Sequence, residues 1–445
     1  MIEALSRLPK EHSDKLTRLF ERFLRVESMG GAAILSATVM ALVVANSPWS
    51  SAFDRIWNIP IEIHIGDLHF VHTLKHLIND GLMTLFFFVI ALELKREIVL
   101  GELSGLKVAA LPIAGAIGGM LVPVGIFLAI VGAGQGAGGW GTVMSTDTAF
   151  VVACLALLGR RVPGSLRVFL LSLAIFDDIG AIMVVAIGYG GGLNGFALAA
   201  GAIGCIIVAI VSFLGIRSLA IYFAIGTGIW LALDASGIHA TITGVLLGLM
   251  APTRSWVSDK RLHVILGKVM SFPPGVDWKG SAAARGALRR ARIATREALS
   301  PVERLETALH PWVAFLVLPL FALANAGIQL GVGDIDRRLA AAIFFAFSVG
   351  KPLGVFVFCY LAVKWGLAVL PERLSWRQLF GGGVLTGIGF TMSFLIAGIS
   401  FESTALASVK IGVLLASITA AVLGVAWLFL LSNDRASAHE SARCE

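Results

Sequence analysis

Residues 166–189 read LRVFLLSLAIFDDIGAIMVVAIGY, an apolar stretch that carries two adjacent aspartates, Asp177 and Asp178, near its centre. About 20 apolar residues are enough for a helix to cross a bilayer, so this stretch predicts a transmembrane helix. One carboxylate at that depth costs about 2.5–3.5 kcal/mol on insertion scales. Two adjacent carboxylates cannot both stay charged cheaply, and we interpret the pair as a site that handles cations or protons.

The composition of the whole chain is typical of a polytopic membrane protein. Of its 445 residues, 57% are hydrophobic and only 14% are charged, whereas soluble domains carry about 25% charged residues. The four cysteines have no paired spacing, which argues against a disulfide framework and against a metal-binding knuckle. We expect no cofactor and no nucleic-acid partner.

Apolar segments predict twelve transmembrane helices. Lys and Arg cluster in the connections that follow even-numbered segments, and this bias marks the cytoplasmic side of a membrane protein. Both termini are therefore expected in the cytoplasm. The predicted spans are 30–46, 77–94, 106–131, 140–158, 166–189, 193–214, 219–233, 238–251, 311–330, 339–363, 379–399 and 404–431.

The spans define the expected domain organisation. A cytoplasmic amphipathic segment at 1–28 precedes a twelve-helix transporter domain at 29–432, and a cytoplasmic tail follows at 433–445. Within the transporter domain, the alternating sequence PIEIHIGDLHFV predicts an extracytoplasmic β-hairpin at 58–72, with its turn at Gly66–Asp67. A lone hairpin is marginally stable in water. It is interpreted as a homodimer contact or, alternatively, as a hairpin that lies on the helix ends.

The connection at 252–310 is unusually long and basic. Its stretch SAAARGALRRARIATREAL predicts a helix with several arginines on one side. We interpret this helix as solvated or facing lipid headgroups, and a regulatory role is the alternative. The arginines are Arg285, Arg289, Arg292 and Arg296.

Two further spans have polar or glycine-rich centres. Asp147 lies in span 140–158 among four hydroxyl side chains, and span 379–399 contains six glycines, including Gly387 and Gly389. Interrupted helices at membrane depth coordinate small cations in transporters, so both centres are candidate parts of an ion site. Alternatively, the hydroxyls bond to their own helix carbonyls and the glycines serve only helix packing.

Lys351, in the sequence FSVGKPLGVF, is a basic residue near the middle of span 339–363. A lysine so far from both ends of a span cannot easily reach the membrane surface. A buried cation needs a carboxylate partner, and Asp177 and Asp178 are the nearest candidates by depth.

Several motifs resemble those of the NhaA-type bacterial Na⁺/H⁺ antiporters, in the order of that family and over about residues 20–432. The motifs are ALELKRE (91–97), TDTAF (146–150), FDDIGAI (176–182), SGIHAT (236–241), LHPWVAF with PLFALANAG (309–327) and GKPLG (350–354). The resemblance implies an all-α polytopic protein of the bacterial inner membrane. Its expected architecture has inverted repeats, two interrupted, crossed helices and the small hairpin.

The resemblance also implies roles for individual residues. Asp177 and Asp178 would be the exchange pair and Na⁺ ligands, and Lys351 would face Asp177. Asp147 and Thr146, on the crossed helices, would be the other residues of ion binding and proton exchange. Thr307 stands where a histidine can occur in the family, and the preceding loop is longer than the family's, which puts the pH set-point in question. The expected pH-sensing residues are Glu93, Lys95, Arg96, Glu97, Glu306 and His310, with His239 on the opposite side.

The expected function is electrogenic, pH-regulated antiport of Na⁺ or Li⁺ against H⁺, carried out by a secondary transporter and not by an enzyme. Sodium and protons would compete for the same carboxylates, with alternating access to the two sides. A sodium-coupled organic-anion symporter of similar fold is one alternative, and Lys351 with the aspartate pair argues against it. The other is an intramembrane aspartyl protease, but adjacent side chains on a helix diverge by about 100°, which suits a hydrolytic dyad poorly.

Overall fold

A computed structural model of the chain describes residues 27–65, 68–99, 106–132, 134, 136–188, 194–214, 219–253, 255–272, 281–328, 335–371, 374–401 and 403–441. Most of the predicted amphipathic segment at 1–28 lies outside the described residues. The predicted turn at Gly66–Asp67 and the end of the tail also lie outside them.

The described chain is mostly helical. The helices are α1 (Glu27–Ala45), α2 (Ser50–Trp57), α3 (Leu74–His76), α4 (Met83–Val99), α5 (Leu106–Val131), α6 (Thr148–Leu158), α7 (Gly164–Gly188), α8 (Gly195–Phe213), α9 (Leu219–Ala235), α10 (Ile242–Met250), α11 (Asp259–Met270), α12 (Ala282–Ala298), α13 (Pro301–Trp312), α14 (Leu318–Asn325), α15 (Arg337–Phe345), α16 (Lys351–Lys364), α17 (Trp376–Leu385), α18 (Phe390–Ser400) and α19 (Ser403–Ser441). Three π-helical segments lie at Leu77–Leu82, Val313–Val317 and Ala346–Gly350, and 3-10 segments lie at Ala137–Val143 and Gly159–Arg161.

The predicted β-hairpin is present as a two-stranded antiparallel sheet. Strand β1 (Pro60–Ile65) pairs with β2 (Leu68–Thr73), and Ile61 lies opposite His72 in the register. The alternation of apolar and polar residues that predicted the hairpin is the period of two expected of a strand.

Eight helices of the described residues are long and apolar enough to cross a membrane, and a ninth span results if the bent pair α17 and α18 counts as one. The chain is therefore a multi-pass membrane protein in composition and helix length. The other three predicted spans correspond to shorter apolar segments, which are Met29–Ala45 in α1, Ala220–Ala235 in α9, and α10. At 1.5 Å per residue, a helix as short as α10 rises only about 14 Å, less than half of a hydrocarbon core.

The chain divides into two compact units. The first consists of Met1–Asn79, Lys107–Tyr189 and Ala314–Glu445, and the second of Asp80–Leu106 and Gly190–Val313. The core of the first unit is built by buried apolar side chains of α5, α6, α7, α16, α17 and α19, with Leu173, Val355 and Leu385 among them. In the second unit, Val208, Ile229 and Leu233 form a core between α8 and α9.

Within the first unit, α5 and α16 approach each other at Gly118 and Gly354. A Cβ atom added to either glycine would collide with the backbone carbonyl oxygen of the other. Close backbone approach of this kind is what small residues permit between transmembrane helices. Gly354 lies in the first turn of α16, which begins at Lys351.

Gly354→Ala is expected to destabilise the protein by about 1–3 kcal/mol, the usual cost of forcing extra atoms into a packed interior. Thermal unfolding in detergent measures this effect. Gly125→Ala on α5 is the matched control, because an added Cβ at Gly125 meets nothing within 4 Å and Ala is the better helix former. Equal melting temperatures for the two variants would contradict the close contact.

Candidate ion-binding site

Two spans of the first unit are interrupted near their centres. In one, the 3-10 segment Ala137–Val143 is followed by non-helical backbone, and α6 starts after Asp147. In the other, α17 and α18 are separated by a short break and bent by 47°. Gly387 and Gly389 lie in this break, where an added Cβ would press on Phe347. The two centres that the sequence singled out are therefore both breaks in helices.

Asp147 joins the two breaks to each other. Its backbone N–H donates to the carbonyl of Ile388 at 2.6 Å. Its Oδ2 accepts from the backbone N–H of Thr391 at 2.9 Å and from the Thr391 hydroxyl at 2.6 Å. Its Oδ1 accepts from the N–H of Phe150 at 3.3 Å. One buried carboxylate thus caps the N-termini of α6 and α18, where the helix dipoles favour negative charge.

Lys351 is paired with Asp177. Its ammonium Nζ lies 2.8 Å from Asp177 Oδ2 and donates to the Thr146 hydroxyl at 2.6 Å. The Thr146 hydroxyl in turn lies 2.7 Å from Asp177 Oδ2 and 3.1 Å from the Thr386 carbonyl oxygen. Both members of the ion pair are fully buried. The hydroxyl of Thr146 therefore bonds to residues of other elements. The alternative for this residue was a hydrogen bond to a carbonyl of its own helix.

The two aspartates of α7 have different surroundings. Asp178 is 2% exposed, and the hydroxyl of Thr148 lies 3.5 Å from its Oδ2. The second oxygen of Asp177, Oδ1, is buried and accepts no hydrogen bond from the described part of the chain. Carboxylate and hydroxyl oxygens are the ligands that hard cations prefer. The arrangement can therefore hold either a small cation or protons at the same atoms.

Charged residues predicted to sense pH form a second cluster, in the other unit. Arg96 of α4 makes ion pairs with Glu97 and with Glu306 of α13. Glu93 and His310 are close enough to interact electrostatically with Glu306, which is itself 9% exposed.

Lys95 and His239 were also predicted to sense pH, and both lie next to α10. The Lys95 ammonium donates to the carbonyl of Leu249, near the C-terminus of α10. His239 lies before the N-terminus of α10, where its carbonyl accepts from the N–H of Ile242 at 3.1 Å. These two residues therefore lie at opposite ends of α10.

The structure adds Thr148, Thr386 and Thr391 to the candidate site. None of them was selected as a site residue from the sequence, although Thr148 stood beside Asp147 and the other two flank the glycines of the second interrupted span. Hydroxyl side chains next to a helix break are a usable signal, because they can pair with the backbone groups that the break leaves open.

A family model described as Na+/H+ antiporter 1 matches residues 21–428. The chain belongs to this Na⁺/H⁺ antiporter family. The "Na(+)/H(+) antiporter NhaA" of Rhizobium meliloti is 58% identical over 97% of this chain and 99% of its own length. "Na(+)/H(+) antiporter NhaA 2" of Acidiphilium cryptum is 54% identical over 96% and 95%, respectively. The resemblance inferred from the motifs is confirmed. Antiporters of this family are secondary transporters and not enzymes.

A solved structure of lower similarity is the sodium proton antiporter MjNhaP1 from Methanocaldococcus jannaschii at pH 8. It aligns with a TM-score of 0.49 and 12% identity, over 94% of this chain and 98% of that chain. Similarity of this degree decides nothing about the residues of the antiporter site.

Proposed function

We propose that the chain is an electrogenic antiporter that expels Na⁺ or Li⁺ in exchange for H⁺ at Asp177 and Asp178. The observation that carries the proposal is the buried Asp177–Lys351 pair, with Asp178 beside it, at the place where two interrupted spans are hydrogen-bonded together. The names of the antiporter relatives support the same exchange.

Competition for the carboxylates is sufficient for coupling. A cation that binds the aspartates expels protons, and protonation expels the cation. Two carboxylates can accept more protons than the single charge of the sodium that they release, so each cycle would carry net positive charge inward. Each net charge gains about 2.3 kcal/mol per 100 mV of membrane potential, which drives sodium out as the site opens alternately to the two sides.

Asp147 and Thr146 would act mainly by holding the site together. Both oxygens of Asp147 already accept hydrogen bonds from α6 and α18, and Thr146 bridges Asp177 and Lys351. We assign them to a pair of crossed helices in an inverted-repeat architecture, the arrangement in which transporters place ion sites at the membrane midplane. Neither alternative function is favoured.

We also propose the number of membrane spans and the location of the termini. Twelve spans result if α1, α9 and α10 cross the membrane in addition to the eight long helices and the bent pair. The basic connections then place both termini in the cytoplasm of a bacterial inner membrane, where membrane lipid surrounds the spans. We further propose that the β-hairpin pairs two copies of the chain, because an isolated two-stranded sheet is marginally stable.

Antiport is tested by adding sodium to everted vesicles or proteoliposomes that hold an acid interior. Sodium or lithium is expected to collapse the proton gradient. Potassium is expected to leave the gradient unchanged, because a larger cation does not fit a site for sodium. A gradient that survives sodium addition at every pH tested would contradict the proposed exchange.

Glu306→Gln is expected to shift the pH at which antiport activates by about one unit, equivalent to about 1.4 kcal/mol of coupling, while the maximal rate changes little. The reason is that Glu306 lies close to the charges of Arg96, Glu93 and Glu97, so that removing its ionisable carboxyl changes the charge balance of the cluster. The measurement is antiport activity as a function of pH at saturating sodium, for the variant and the parent.

Glu303→Gln on the same helix is the control for that shift. Glu303 belongs to a capping box with Ser300, and glutamine serves equally well at that position. If the Glu306→Gln and His310→Ala curves both overlay the parental curve, the cluster does not set the pH response. That response would then arise from proton–sodium competition at Asp177 and Asp178.

A further inference from the structure

The long connection between α10 and α13 contains a pair of packed helices. Helix α12 packs on α11, and Ser281 caps the N-terminus of α12 by accepting from the N–H of Ala284 at 3.2 Å. One face of α12 is a stripe of buried alanines, whose lack of long side chains allows close packing. The alanines are Ala284, Ala287, Ala291 and Ala294.

The opposite face of α12 is basic and exposed. The arginines follow the spacing i, i+4, i+7 and i+11, which at 100° per residue places them on one side of the helix, away from the alanine stripe. In total, α11 and α12 carry eight lysines and arginines but only two acids, Asp259 and Glu297. Glu297 is paired with Arg304 of α13 at 3.0 Å. The exposed arginines of this face are Arg285, Arg289, Arg292 and Arg296.

Large apolar side chains are exposed on α12 and close to its C-terminus, where the N–H of Val257 donates to the carbonyl of Glu297 at 3.2 Å. Trp256 is 60% exposed, Leu299 is 52% exposed and Ile293 is 44% exposed. Leu288 lines a surface depression together with Arg289 and Arg292. Basic and apolar side chains exposed together are typical of helices that lie in a membrane interface, where the charges meet headgroup phosphates and the apolar groups meet the acyl boundary.

The helix pair is also connected closely to the membrane. Helix α12 ends at Ala298, and α13 begins only a few residues later, at Pro301, as the first part of the apolar span Pro301–Asn325. Arg296 and Leu299 are therefore within one helical turn or two of the start of a candidate span. Binding of a soluble polyanion would give no role to the exposed apolar residues, whereas a lipid surface would contact both the arginines and the apolar residues.

We propose that the arginine face of α12 binds the headgroups of anionic phospholipids, while Leu288 and Leu299 contact the acyl boundary beneath them. Clusters of four to eight basic residues next to a membrane span are recognised by this chemistry. The proposal concerns a surface outside the ion site, and lipid binding is measured without transport, so its failure would leave the proposed antiport untouched.

The test is native mass spectrometry of the full chain in detergent, titrated with phosphatidylglycerol or phosphatidylcholine. The parent is expected to retain phosphatidylglycerol preferentially. Arg289→Gln with Arg292→Gln is expected to weaken that binding by about thirtyfold, the order expected for two basic residues at a lipid surface. Arg289→Lys with Arg292→Lys keeps the charge and is expected to retain most of the binding.

The matched control is Lys364→Gln with Arg377→Gln, which removes two exposed charges elsewhere and is expected to leave phosphatidylglycerol binding unchanged. Melting temperatures without added lipid establish that each variant is folded, and Arg289→Gln alone replaces the double variant if that one is not. Equal phosphatidylglycerol binding by parent and double variant would overturn the proposal. So would displacement of the lipid by equimolar glycerol phosphate, or retention of an acidic protein or nucleic acid at this surface instead of lipid.

Discussion

Asp178→Asn is expected to reduce sodium-driven proton exchange to the level of vesicles that lack the protein. Asparagine has nearly the same volume as aspartate, but it carries no charge and takes up no proton at physiological pH. Asp178 is almost completely buried beside the Asp177–Lys351 pair, so no solvent-exposed group can substitute for it. The measurement is the rate at which sodium dissipates a proton gradient in everted vesicles.

Asp336→Asn is the matched control for Asp178→Asn. Asp336 caps the N-terminus of α15 by accepting from the N–H groups of Arg338 and Leu339, and asparagine is an equally good N-cap residue. The control variant is expected to exchange at the parental rate. If Asp178→Asn also exchanges at a near-parental rate while protein amounts are equal, Asp178 is not an ion-binding residue.

Lys351→Ala is expected to destabilise the protein by about 3–5 kcal/mol, the cost of breaking a buried ion pair by removing one partner. The lysine donates to both Asp177 and Thr146 and is fully buried, so its removal leaves a carboxylate without its counter-charge in the membrane interior. Thermal unfolding in detergent measures the loss. The pH profile of antiport should change as well, because Asp177 belongs to the proposed exchange pair.

Lys364→Ala tests whether the effect is specific to the ion pair. Lys364 is exposed at the last turn of the same helix, α16, and exposed substitutions of this kind usually change stability by no more than about 0.5 kcal/mol. Adding Asp177→Asn to Lys351→Ala should recover part of the lost stability, since residues in contact couple by about 0.5–3 kcal/mol. Equal melting temperatures for Lys351→Ala and Lys364→Ala would contradict the buried pair.

Much of the fold, and the residues of the candidate site, could be predicted from local sequence. The apolar run around Asp177 and Asp178 predicts a transmembrane helix by its length and composition, and α7 spans Gly164–Gly188. The alternation at 60–71 predicts a hairpin because strand side chains repeat every two residues, and the sheet has that form. Such patterns depend only on neighbours in the chain, as do the motifs that indicated the family.

The partners across the site were decided by tertiary structure. Depth alone left both Asp177 and Asp178 as candidates for Lys351, because adjacent side chains on a helix have almost the same depth and differ in direction by about 100°. Packing of α16 against its neighbours aims the lysine at Asp177. Likewise, nothing local indicates that Asp147 bonds Thr391, which is 244 residues away along the chain.

The sequence by itself therefore determined the length of the apolar helices, the presence of charged residues within them and the glycine-rich breaks. Each of these properties follows from the free energy of placing particular residues in lipid. The pairing of those charges, and the joining of two helix breaks by Asp147, depended on the folded chain. Hydrogen bonds and ion pairs act over a few ångströms in space, and only the packing of helices distant in sequence brings their atoms within that range.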